Sequence, residues 1–207
     1  GARFGWSAKK TMHEAQSLYE QGLITYHRTD SLNLAAEAVS QARKFIQTKY
    51  GEKYLPDHPV FYKTKAKNAQ AAHEAIRPTD VNFQSDNKLY KLIWERFVGC
   101  QMRPAVLGKT TVIIQADKYE LKAEGEQLVF DGWRKIFNSQ FSILNQLPNL
   151  QTNDKLKQIK IISEQKFTQP PARYTEASLI KVLEEKEIGR PSTYAPILST
   201  IQDRHYV

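Results

Sequence analysis

The chain's 207 residues are 41% apolar and 11% aromatic, enough for a sizeable core, and no apolar run reaches the ~18 residues of a membrane span. Lys plus Arg number 30 against 22 Asp plus Glu, and the net charge of +8 attracts polyanions, nucleic acid above all. The single cysteine, Cys100, excludes an internal disulfide and a Cys-based metal site, fits a reducing compartment, and is expected to be a core thiol. The chain opens on Gly1 with no signal-peptide pattern, so it reads as an internal piece.

The first half has helical periodicity. Ser7 is placed to cap a helix whose apolar positions are Met12, Ala15, Leu18 and Tyr19, with Gly22 where a C-terminal glycine belongs. A second helix is expected from near Asn33, with Ala35, Ala38, Val39, Ala42, Ile46 and Tyr50 on one face and Gly51 ending it. A third, short helix is expected over about 68–76, stopping before Pro78. A fourth is expected to start at a Ser85 cap and to present Leu89, Leu92, Ile93 and Phe97.

Near Pro104 the period becomes two. Val112 and Ile114, then Tyr119, Leu121 and Ala123, then Leu128 and Phe130, and last Ile159 and Ile161 predict short strands joined by irregular links. Pro170-Pro171 punctuates the chain, and two helices follow, 176–188 and 192–203, separated by Gly189-Arg190-Pro191. With Gly189 in the turn and Ser192 or Thr193 as cap, the pair has the plan of a helix-turn-helix.

Four clusters carry chemistry. In Ile24-Thr25-Tyr26-His27-Arg28-Thr29-Asp30-Ser31 a phenol can attack phosphorus, and a guanidinium two residues on can fork across phosphate oxygens. The same residues also suit a buried tyrosine, a surface arginine and a helix cap. In 71–80, His73 on an alanine-rich stretch can bind phosphate or simply sit near a helix end. Arg77 stands where a zinc-protease motif needs its second histidine, so a zinc reading fails. The stretches 169–178 and 188–194, with Arg204 beyond, join arginines and hydroxyls to helix starts, which seats phosphate or merely begins helices. No glycine-rich nucleotide loop and no Asp-x-Asp motif occurs.

Gly22 to Ser31 closely resembles the active-site motif of type IA DNA topoisomerases. Ala72 to Pro78 resembles that family's second signature, and 168–178 with 189–194 and 201–204 its third, in the family's order. The resemblance implies that Tyr26 attacks one DNA strand and becomes joined to its 5′-phosphate, with Arg28 beside the scissile phosphate. It implies that His73, Arg190, Ser192, Thr193 and Arg204 hold the DNA backbone. It further implies strand passage and resealing without ATP, relaxing negative supercoils, on single-stranded and negatively supercoiled DNA, by a cytoplasmic, nucleoid-associated monomer with no membrane partner.

The implied fold is mixed α+β: a helical gate domain over 1–108, a small antiparallel β hinge segment over 109–172, and a DNA-binding helix pair of helix-turn-helix type over 173–207. Cleavage in the family also needs Mg²⁺ held by an N-terminal Toprim domain. No metal ligand is expected in this chain, and the chain alone is expected not to cleave DNA. The competing reading is a non-catalytic helix-turn-helix DNA-binding module. A tyrosine recombinase is disfavoured because its tyrosine comes late, after its arginines and histidine.

Overall fold

The computed structural model describes residues 3–62, 73–137 and 146–206. Two compact units form, one from Gly1–Arg103 with Tyr174–Val207 and the other from Pro104–Arg173. The first is helical: α1 (Ala8–Glu20), α2 (Ala36–Tyr50), α3 (Lys88–Cys100), α4 (Glu176–Glu185) and α5 (Tyr194–Asp203). The second holds an antiparallel hairpin, β1 (Val106–Ala116) and β2 (Tyr119–Phe130).

The ends of α1 follow from side-chain chemistry. The Ser7 hydroxyl accepts from the Lys10 N–H at 3.2 Å, and Gly22 adopts a left-handed φ of 70°. The Gly22 N–H then reaches the Tyr19 carbonyl and the Leu23 N–H the Leu18 carbonyl, the paired bonds of a Schellman ending. Helix α2 starts three residues later than Asn33, and Ala38, Val39, Ala42 and Ile46 are buried as their spacing requires. Ala35 and Tyr50 stay outside that core, at the helix ends.

Helix α3 is capped by Asn87, not Ser85. The Asn87 carboxamide oxygen accepts from the Leu89 and Tyr90 N–H groups, while the Ser85 hydroxyl accepts only from the Asn87 N–H. The buried face also differs from the expected one. Tyr90, Trp94 and Val98 go inside with Leu89 and Phe97, and Leu92 and Ile93 are half-buried. Trp94 donates to the Val81 carbonyl at 2.8 Å and stands edge-on to Phe45 of α2, which locks α3, α2 and the 80s loop together. Burial, with Asp80 adding to it, pushes the Tyr90 phenol up to about 12, so it stays a neutral donor to the Asp80 and Phe83 carbonyls. Cys100 is half-buried rather than a core thiol; its S–H donates to the Phe97 carbonyl and burial raises its pKa.

The helix expected over 68–76 does not extend through 73–76, which runs without regular structure; 68–72 lies outside the described residues. The backbone groups of 75–79 are bonded to 22–33 instead, so tertiary pairing overrides alanine's helix propensity.

The hairpin turns on Asp117-Lys118, Asp117 taking a left-handed φ of 54°. Its register pairs Val112 with Ala123 and Ile114 with Leu121, as the alternation predicts. Ile159 and Ile161, expected in a strand, are instead 95% and 77% exposed with no strand assigned to them. Alternation marks a residue's preference for a pleated surface, but a strand also needs a neighbour to bond, and they have none among the described residues.

Candidate active site

Tyr26 stands in the segment between α1 and α2 that the Gly22 ending turns back toward the core. Ile24, 1% exposed, anchors that segment through a bridge to Pro78. Thr25 completes the attachment. Its N–H donates to the Arg77 carbonyl at 2.9 Å, its hydroxyl donates to the Ala75 carbonyl at 2.7 Å, and that hydroxyl accepts from the Arg77 N–H at 2.9 Å. The Thr79 N–H and hydroxyl reach the Leu23 and Gly22 carbonyls at 3.0 and 2.7 Å. The first and second clusters, about fifty residues apart in sequence, are therefore one structure.

That pairing presents Tyr26 outward. The residue is 39% exposed, and its ring meets Tyr19, His27 and His73 edge-on at centroid distances of 5.4, 5.5 and 5.7 Å. The rings fix the phenol's direction without enclosing it. Arg28 is exposed and donates to the Gln16 side chain at 3.2 Å, a neutral partner that leaves the guanidinium charge uncompensated by that bond. His73 is half-buried, and its Nδ1 is buried without a hydrogen-bond partner.

Glu74 supports the pair from behind. Its carboxylate takes two bonds from Arg77, at 2.7 and 2.9 Å, and one from the Ala35 N–H at 2.8 Å. Burial alone would raise its pKa, but the Arg77 bonds, the Ala35 N–H and the Arg77 charge outweigh that and hold it low. Sequence reasoning passed over Thr25, Glu74 and Arg77 as site-builders. Thr25's place beside the tyrosine was the available signal.

His27 is 4% exposed, and both ring nitrogens are buried without a partner. Burial first, then the Arg28 charge, lowers its pKa from 6.5, with Glu20 opposing. The unfolded chain thus binds a proton near pH 6.5 that the native chain resists. Stability should hold above that pH and decline as pH falls through it toward the lower native value. Urea midpoints at pH 7.5 and 5.5 should show this, and His27→Gln should flatten the dependence; an equally steep variant would assign it elsewhere.

The fourth cluster meets the first across a cavity of about 290 Å³, lined by His27 and Asp30 from one and Pro191 and Tyr194 from the other. Burial, then Glu184, raises the Tyr194 pKa; Arg190 opposes this and Asp30 adds to it. Arg190 is exposed, and its N–H donates to the Thr193 hydroxyl at 2.8 Å, which donates back to the Arg190 carbonyl. Thr193 thus precedes α5 without capping it by side chain. Ser192 is exposed in the same turn. Arg204 ends α5, about 15 Å along the helix from Thr193 by its ten-residue length, so these two do not share one phosphate. No group of three or more His, Cys, Asp or Glu side chains able to hold a metal ion occurs among the described residues.

The sequence model of the DNA topoisomerase family matches residues 1–207. The chain is 52% identical to DNA topoisomerase 1 of Pasteurella multocida and 53% identical to that of Vibrio cholerae, covering 99% of this chain each time and 25% and 24% of theirs. The full-length topoisomerase I structure from Thermotoga maritima superposes with a TM-score of 0.74 at 32% identity, over 99% of this chain and 36% of that one. The chain thus spans about a quarter of the length of the curated relatives it matches. With the Tyr26 motif, its second signature and the third all present in order, the chain belongs to the family of type IA DNA topoisomerases.

Proposed function

We propose that the whole protein is an ATP-independent topoisomerase in which Tyr26 cleaves one DNA strand. The Tyr26 oxygen attacks phosphorus, the bond to the 3′-oxygen breaks, and a 5′-phosphotyrosine forms; after strand passage the 3′-hydroxyl attacks and releases the tyrosine. The phosphodiester energy is kept in the covalent bond, so resealing needs no nucleotide. The observation that carries this reading is an exposed tyrosine whose ring is held by three others, with Arg28 two residues on and His73 against it. Arg28 is given the charge developing on the phosphate. Mg²⁺ would be held by a Toprim domain of the whole protein, as the family resemblance implies, and no step here is routed through it.

The division into a gate over 1–108, a hinge over 109–172 and a DNA-binding part over 173–207 is part of this proposal. So are cytoplasmic location, action as a monomer, and negatively supercoiled and single-stranded DNA as substrates. The link between α4 and α5, residues 186–193, exceeds the turn of about three or four residues in a helix-turn-helix, which favours backbone seating over groove reading.

The test is label transfer. With the full-length protein, Mg²⁺ and single-stranded DNA, a label at the strand's 3′ end should stay on the protein after denaturation, and a 5′ label should be released. The reverse pattern would exclude a 5′-phosphotyrosine. The 207-residue chain alone should trap no adduct. Separately, Arg204→Ala should weaken binding to DNA of many sequences alike and lower the salt slope by about one, as loss of one phosphate contact does. A loss confined to one sequence would contradict a backbone role.

A further inference from the structure

Helix α1 presents Gln16, Tyr19 and Glu20 on one face, at the three- and four-residue spacing of helical neighbours. That face meets the segment that follows the helix. The Tyr19 ring stands 5.4 Å from that of Tyr26, and the Gln16 carboxamide oxygen accepts from the Arg28 guanidinium at 3.2 Å. The nitrogen of the same carboxamide donates to Glu20 Oε1 at 2.6 Å. Carboxylate, amide and guanidinium thus stand in a row, and only one orientation of the amide serves both neighbours. The short bond to a charged acceptor holds that orientation and polarises the carbonyl turned toward Arg28. Arg28 and Glu20 form no ion pair with each other among the described residues.

We propose that Gln16 is a positioning residue for Arg28, a neutral spacer that aims the guanidinium at the phosphate Tyr26 attacks, while Glu20 keeps the amide turned the right way.

This inference rests on the proposed cleavage by Tyr26 and supplies the setting of its arginine. Arg28 is exposed, and an exposed arginine left to itself samples many rotamers. A group that stabilises charge in a transition state must be aimed before the reaction begins. A carboxylate at position 16 would also aim Arg28, but in an ion pair that the DNA phosphate would have to displace. The amide takes one N–H of the guanidinium and leaves its charge and its remaining donors to fork across phosphate oxygens. The nearby His27 ring registers both ends of the row. Burial is the first cause that lowers its pKa, Arg28 lowers it further, and Glu20 raises it. The two opposite charges therefore act in one neighbourhood, with the amide bonded to each.

Single-turnover cleavage of single-stranded DNA by the full-length protein with Mg²⁺ tests this. Gln16→Leu removes both bonds at similar size and should slow cleavage about fivefold, with the Kd for DNA within about twofold and the urea midpoint unchanged. Gln16→Glu should slow cleavage more, about tenfold, because the new carboxylate competes with the phosphate for Arg28. Glu20→Gln should slow it about twofold, the amide being less firmly held. The decisive comparison is Gln16→Leu made together with Arg28→Lys, whose ammonium lacks the planar fork to be aimed. If Gln16 acts through Arg28, the two losses overlap, and adding Gln16→Leu to Arg28→Lys should cost less than about twofold. Losses that multiply, cleavage by Gln16→Leu as fast as in the unaltered protein, or a Gln16→Glu variant faster than Gln16→Leu would overturn the proposal. An adduct that still forms in Tyr26→Phe would instead sink the cleavage reading, and this inference with it, before any Gln16 variant is compared.

Discussion

Tyr26→Phe in the full-length protein should abolish plasmid relaxation and covalent adducts, a loss of at least about 10⁴-fold, while leaving stability almost unchanged. The substitution removes one oxygen. The remaining ring still meets Tyr19, His27 and His73 at the same edges, so the segment keeps its packing. That contrast is the strength of the experiment, because a lost activity with an unaltered unfolding transition can only come from chemistry. Residual relaxation within about tenfold of the unaltered protein would remove Tyr26 from the reaction altogether. DNA binding measured alongside should change little, since one phenol contributes at most a single bond to an extended backbone interface.

Ile24→Ala should have the largest effect on folding. Ile24 is 1% exposed, two residues before the tyrosine, and sits in the bridge to Pro78. Truncating a fully buried isoleucine typically costs about 2–5 kcal/mol, a large part of the roughly 5–15 kcal/mol that holds a domain folded. Urea unfolding of the 207-residue chain measures it. The cavity forms under the Tyr26 segment, so relaxation by the full-length variant should also fall, and more steeply at higher temperature. A cost below about 1 kcal/mol would mean that the segment is not anchored from beneath.

What sequence could reveal here followed the range of the interactions involved. Ser7, Gly22 and Gly51 end or begin helices through bonds to residues three to five positions away, and pattern reading finds such bonds. Ser85 and Asn87 are equally good caps in isolation, and only the packing of Tyr90 and Trp94 decides between them. The alanine-rich stretch around His73 favours a helix by local propensity, but from Ala75 to Thr79 the chain is bonded to a distant segment instead. At the site, the motif order pointed to Tyr26, Arg28 and His73 without indicating how they meet. The linking atom is the Thr25 hydroxyl, whose partners are fifty residues downstream, and no local period records that.

The two-sided attachment through Thr25 has a mechanical meaning. Because Ala75, Arg77 and Thr79 are all bonded to residues 22–25, displacement of the tyrosine-bearing segment carries the histidine-bearing one with it. In the proposed reaction, a phosphate esterified to Tyr26 would therefore keep the same imidazole at its side when the segment is displaced, and resealing would begin with that half of its surroundings already assembled.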